Sequence, residues 1–264
     1  MLKKLLKYDL KWLLKIICIF CGIGTLFGVL SRVLELCTDS LFFDIIIAIF
    51  KGTSLSLTIS ALFNSIIRAW VRLRSNMYKD ESYLTNTLPI PRTTHYLSKC
   101  LSGLICVVLS TLVILLNVVV MYYSKDNLQF LKESLNLLST TLDVSIVWFV
   151  ILLFIVVLLE ALFILQCGYF GIIYGNTFNK SKVLNSFIFG GVGYMLSSIM
   201  FVVILIIGSL FNEGLSGVIL GGSKQVEFGV LKGIMIYVCV LYVIYIGIFY
   251  YINYKSLKKG INID

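Results

Sequence analysis

Six apolar stretches run through this chain, at 16–30, 45–67, 101–122, 144–174, 184–211 and 230–251. Most approach or exceed the ~20 residues a helix needs to cross a hydrocarbon core. A segment in lipid must satisfy its own backbone polar groups, which leaves helices and closed barrels. Barrel strands alternate polar and apolar residues, and these stretches do not. Composition agrees: 59% of the 264 residues are hydrophobic and 13% charged, against about a quarter charged in soluble domains. The expected fold is therefore an all-α integral membrane protein with six transmembrane helices, forming a single transmembrane domain over 1–264. The first stretch is short. The fourth and fifth are long enough to tilt or to project beyond the hydrocarbon.

Lysine and arginine set the orientation. With the N-terminus in the cytoplasm, one side gathers most of the 22 basic residues. Lys3, Lys4, Lys7, Lys11 and Lys15 lie there, with Arg68, Arg72, Arg74, Lys79, Arg92 and Lys99. So do Lys180, Lys182, Lys255, Lys258 and Lys259. Six spans then leave both termini cytoplasmic. The net charge of +9 is mostly this bias, so it does not argue for nucleic acid. The N-terminus also resembles a signal peptide, but no A-x-A-like cleavage site follows, so the segment is read as retained.

Residues 2–15, LKKLLKYDLKWLLK, form a candidate amphipathic helix lying in the headgroup layer ahead of the first span. Its five lysines fall on one arc, opposite Leu2, Leu5, Leu6, Trp12 and Leu13. Asp9 interrupts the apolar face. Glycines at small-x-x-x-small spacing, Gly24 with Gly28 and Gly171 with Gly175, permit close helix crossing. Gly190, Gly191 and Gly193 cluster in the fifth span. Residues 212–229, between the last two spans, have an apolar centre too short to cross.

Chemistry-bearing patterns are sparse. Seven cysteines, an odd number and mostly inside apolar runs, do not suggest a disulfide framework. Cys18 and Cys21 lack the further ligands of a metal site. The single histidine, His95, rules out paired-histidine metal motifs and reads as a loop residue. No G-x-S-x-G elbow is present. GNTFNKSK, 175–182, lacks the second glycine of a phosphate loop. No catalytic or metal-binding residue and no resident cofactor is expected. Glu160 is the one acid well inside a span. It is either a polar pathway residue or a protonated side chain bonded to a neighbouring helix.

The most distinctive segment is MYKDESYLTNTLPIPRTTHYLSKC, 77–100, within the loop 68–100. It holds both prolines of the chain. SNMYKDESYLTNTL, 75–88, suits a short helix with Met77, Leu84 and Leu88 on one side and Tyr83 beside them. Asp80 and Glu81 come early, where the helix dipole favours acids. Pro89 and Pro91 end it, because the residue before a proline is pushed toward extended conformations.

This segment resembles the first cytoplasmic loop of type-2 ABC-exporter permeases, in particular the compact six-span permeases of Firmicutes. Their pattern is an acidic pair, Gly-Tyr-Leu, Thr-Leu-Pro, a basic residue and Ser-Lys. Here it reads Asp80, Glu81, Ser82, Tyr83, Leu84, then Thr87, Leu88, Pro89, then Arg92, Ser98 and Lys99. Ser82 stands where that pattern has glycine. The resemblance implies a coupling helix that docks on a separate ATPase subunit, which would bind ATP and Mg. Asp80, Glu81, Tyr83, Leu84, Thr87, Leu88, Pro89 and Pro91 would form that contact. It also implies a second permease chain, identical or a sister subunit, in a bacterial plasma membrane. The cargo would be amphipathic or hydrophobic: an antimicrobial or other peptide, a drug or a lipid. A channel or an intramembrane enzyme, without an ATPase, is the alternative. The lack of paired catalytic residues argues against the enzyme.

Overall fold

A computed structural model describes residues 1–37, 40–79, 81–122, 146–178, 180–211 and 228–259. Helices account for nearly all of them, and no strand occurs among the described residues. The helices are α1 (Leu2–Cys37), α2 (Leu41–Tyr78), α3 (Glu81–Thr87), α4 (Arg92–Tyr122), α5 (Ile146–Gly175), α6 (Lys182–Phe211) and α7 (Phe228–Lys259). Six of them, all but α3, are long and apolar enough to cross a membrane. The chain is an all-helical, multi-pass membrane protein. It falls into two compact units, Met1–Leu128 and Gln129–Asn262.

In the first unit α1, α2 and α4 pack against one another, and α3 packs on α2. The helix α1 differs from expectation. Residues 2–15 and the first span form one unbroken helix of 36 residues, about 54 Å long, rather than an interfacial helix followed by a turn. Nothing between Lys15 and Gly22 breaks a helix, and the buried face runs straight through the junction. Asp9, Leu13, Ile17, Cys21, Gly24, Gly28 and Ser31 are buried, three or four residues apart along one stripe. The five lysines all face outward.

Polar atoms pin the membrane part of this bundle. Asn117 Nδ2 on α4 donates to Ser54 Oγ on α2 at 2.6 Å, and Ser54 Oγ donates to the Gly24 carbonyl of α1 at 2.7 Å. A Cβ on Gly28 would stand 2.3 Å from Asn117 Oδ1. The glycine there makes room for the amide that joins three helices.

The expected loop 68–100 is largely helix. Residues 68–78 contain no breaker, so α2 runs on to Tyr78, and α4 already begins at Arg92. Only a short corner carrying α3 separates them. Met77 therefore belongs to the last turn of α2 and is buried. It does not share a face with Leu84 and Leu88 as the spacing suggests. His95 is likewise no loop residue. It is buried in the first turns of α4, and no hydrogen bond engages its Nε2 among the described residues.

In the second unit α5 packs on α6 and on α7. A Cβ on Gly171 would lie 2.3 Å from the Ser186 carbonyl, and one on Gly175 2.3 Å from the Ser186 nitrogen. Both glycines thus let α5 meet the backbone of α6. Ser181, at φ 52°, turns the chain between them. The core is aromatic: Phe163 and Phe170 of α5 meet Phe249 of α7, at ring separations of 6.0 and 5.2 Å. Residues 212–227 and Val144 lie outside the described residues.

Candidate functional site

The helix α3 is a single short element of seven residues. Chain direction reverses around it: Lys79 is extended after α2, and Leu88–Ile90 bend before α4. The Pro91 carbonyl then accepts from the Thr94 N–H at 2.9 Å and opens α4. Within α3, Thr85 Oγ1 donates to the Glu81 carbonyl and Thr87 Oγ1 to the Leu84 carbonyl, both at 2.8 Å. These bonds use the backbone acceptors that a helix this short leaves open.

The two faces of α3 are sharply different. Ser82 is 1% exposed, against α2. Tyr83 is 70% and Leu84 74% exposed, and Leu88 is exposed beside them. Thr87, Pro89 and Pro91 are also exposed. Asp80 lies outside the described residues. A small residue at 82 has a physical reason here, since a long side chain would lift α3 off α2.

Glu81 ties α3 to the bundle. Its Oε2 accepts from Arg72 Nη1 at 3.1 Å and from Asn76 Nδ2 at 2.6 Å, both on α2. Arg72 reaches the other way too. Its Nε donates to Asp9 Oδ1 of α1 at 3.1 Å. Asp9, 2% exposed, also accepts from Ser98 Oγ at 2.7 Å and from Lys99 Nζ, both on α4. Lys99 is 3% exposed. Two carboxylates and two cations thus alternate through the joint, and four helices meet in it. Buried charges persist only when paired and hydrogen-bonded, and here each carboxylate has several donors.

Trp12 closes the joint on the α1 side. Arg68 Nη2 donates to the Trp12 carbonyl at 3.0 Å, and the Arg68 guanidinium lies 4.1 Å from the centre of the Trp12 ring. Arg72 lies 5.3 Å from the same ring. A guanidinium over an indole face is held by the ring quadrupole.

Of the site residues read from sequence, the structure brings Glu81, Tyr83, Leu84, Thr87 and Leu88 together on α3 and its exit. It adds Asp9 and Arg72, and it gives Ser98 and Lys99, the Ser-Lys of the loop pattern, a place in the buried joint. Asp9 reads as a flaw in an amphipathic face. Its register with Leu13 and Ile17 is the one signal that it is buried and needs cations. Glu160 belongs to the second unit, half-buried on α5.

Comparison of this chain with family models, with curated proteins and with solved structures finds no match.

Proposed function

We propose that the chain is the membrane-spanning permease subunit of an ATP-driven ABC exporter, with α3 as its docking helix for a separate ATPase subunit. The observation that carries this reading is the exposed face of α3. Tyr83, Leu84 and Leu88 stand out beyond the charged end of α2, which bears Arg68, Arg72 and Arg74. Side chains at that level lie past the apolar part of the span, so lipid tails do not cover them. Exposed aromatic and aliphatic residues rimmed by polar ones mark protein contacts, and such residues act as anchors when a partner groove takes them.

The buried joint gives the contact a mechanical outlet. A push on α3 acts on Glu81, then on Arg72, then on Asp9 and Lys99. The exposed docking face is thereby tied to α1, α2 and α4 at once. In this reading ATP and Mg sit in the partner, and this chain supplies the pathway with a second permease chain, identical or a sister subunit. The docking end and both termini face the cytoplasm of a bacterial cell, and the cargo is an amphipathic or hydrophobic peptide, drug or lipid.

Co-purification tests the partner. The chain is expressed with any ABC ATPase encoded next to its gene and extracted in mild detergent. A stoichiometric complex supports the reading. Clean separation of the two folded proteins contradicts it.

A further inference from the structure

Tyrosines in membrane helices concentrate at the two interfaces, where the ring is apolar and the hydroxyl wet. The second unit follows this at Tyr174, Tyr250, Tyr251 and Tyr254, but it also places three tyrosines near mid-span. Phe163 is the middle residue of the span Ile151–Gly175, and Tyr245 sits at the middle of Gly233–Lys258 with Tyr242 one turn earlier. Tyr194 lies two residues from the middle of Lys182–Leu210. All three tyrosine rings meet Phe163, at centroid separations of 5.7 Å for Tyr194, 5.6 Å for Tyr242 and 5.9 Å for Tyr245. Among the described residues the buried Tyr245 hydroxyl has no hydrogen-bond partner.

Glu160 is one helical turn before Phe163, on the same side of α5. It is the single acid among the described residues of this unit. No ion pair or hydrogen bond holds its carboxylate among those residues. A carboxylate and tyrosine hydroxyls at mid-membrane depth are costly, and packing alone gives no return for them. Phenylalanine and glutamine would fill the same volume. Such groups persist where they meet a ligand or a pathway.

We propose that Glu160, Tyr194 and Tyr242, organised around Phe163, form a mid-membrane site for the cationic group of an amphipathic ligand. A carboxylate supplies the counter-charge. Tyrosine faces supply the quadrupole that attracts cations, most strongly organic ammonium and phosphonium groups in a desolvated setting. Glu160 and Tyr242 are half-buried and Tyr194 is exposed, so the group is approachable. An anionic ligand would be repelled there, and a neutral one would leave the carboxylate uncompensated. As a statement about cargo this rests on the export reading. As a statement about binding it rests on the second unit alone.

The test uses the full chain, without an ATPase, in phosphatidylcholine nanodiscs. Radiolabelled tetraphenylphosphonium is the probe, with empty nanodiscs as blank. Wild type is expected to show saturable binding above the blank. Glu160→Gln should weaken it about tenfold or more, and Glu160→Asp should keep most of it. Tyr242→Leu should weaken it several-fold while Tyr242→Phe, which keeps the ring, should not. Equal affinity in Glu160→Gln, equal loss in Gln and Asp variants, or no saturable binding overturns the site. A chain that binds the probe as expected but fails to co-purify with an ATPase retains the site and loses the exporter reading. The reverse pair of results removes the site alone.

Discussion

Replacing Asp9 with alanine removes the carboxylate on which Arg72, Ser98 and Lys99 converge. The three donors do not suffer equally. Arg72 keeps Glu81, 3.1 Å from its Nη1. Ser98 is small and neutral. Lys99 carries the cost, because its side chain is 4% exposed and the Asp9 charge beside it is gone. Removing one partner of a buried ion pair costs about 3–5 kcal/mol, since the remaining charge loses its nearest counter-charge while staying buried. Asp9→Ala should therefore destabilise the first unit by about that amount. Adding Lys99→Met removes the buried charge and keeps the volume of the stem. The double variant should recover at least about 1 kcal/mol relative to Asp9→Ala, the coupling expected of side chains in direct contact. Reversible unfolding in mixed micelles, titrated with SDS, reads all four corners of the cycle. An Asp9→Ala variant within about 0.5 kcal/mol of wild type, or strictly additive effects in the double variant, refutes the claim that the joint holds the helices together.

Other substitutions probe the packing and the seat of α3 on α2. Gly175→Ala should cost more stability than Gly52→Ala in the same unfolding assay, by about 1–3 kcal/mol. The new Cβ at 175 meets the Ser186 backbone at 2.3 Å, whereas nothing lies within 4 Å at 52. Gly28→Ala should fall between them, because the obstructing atom is the Asn117 side chain, which can rotate at the expense of its bond to Ser54. Ser82→Leu should release α3 from α2 and speed proteolysis at the 79–91 corner. Ser82→Gly should be tolerated, and limited proteolysis in detergent separates the two outcomes.

Apolar run length made the six spans legible, because a bilayer imposes its thickness on any sequence that crosses it. Helix ends were not legible to the same degree. Hydropathy marks where lipid stops, whereas helix propensity carried α1, α2 and α4 past that point through residues with no breaker. The prolines at 89 and 91 placed the end of α3 correctly in outline. The spacing puts Met77 on the face of Leu84 and Leu88, because the break at Lys79 has no glycine or proline to announce it. Asp9 shows the sharper limit. Its buried register was readable from Leu13 and Ile17, but its partners stand 63 residues away at Arg72 and 90 away at Lys99. Pairing over such distances belongs to tertiary structure. The same holds for the tyrosines of two other helices that meet Phe163, one turn from the conspicuous Glu160.

The central claim is that α3 is where an ATPase subunit grips this chain. Leu84→Asp with Leu88→Asp puts two charges on its exposed face and leaves the buried joint untouched. The double variant should unfold like wild type in detergent, and it is then reconstituted with the ABC ATPase that co-purifies with the wild-type chain. It should lose ATPase binding or stop coupling ATP hydrolysis to transport. A double variant that binds the ATPase and transports at the wild-type rate contradicts the account.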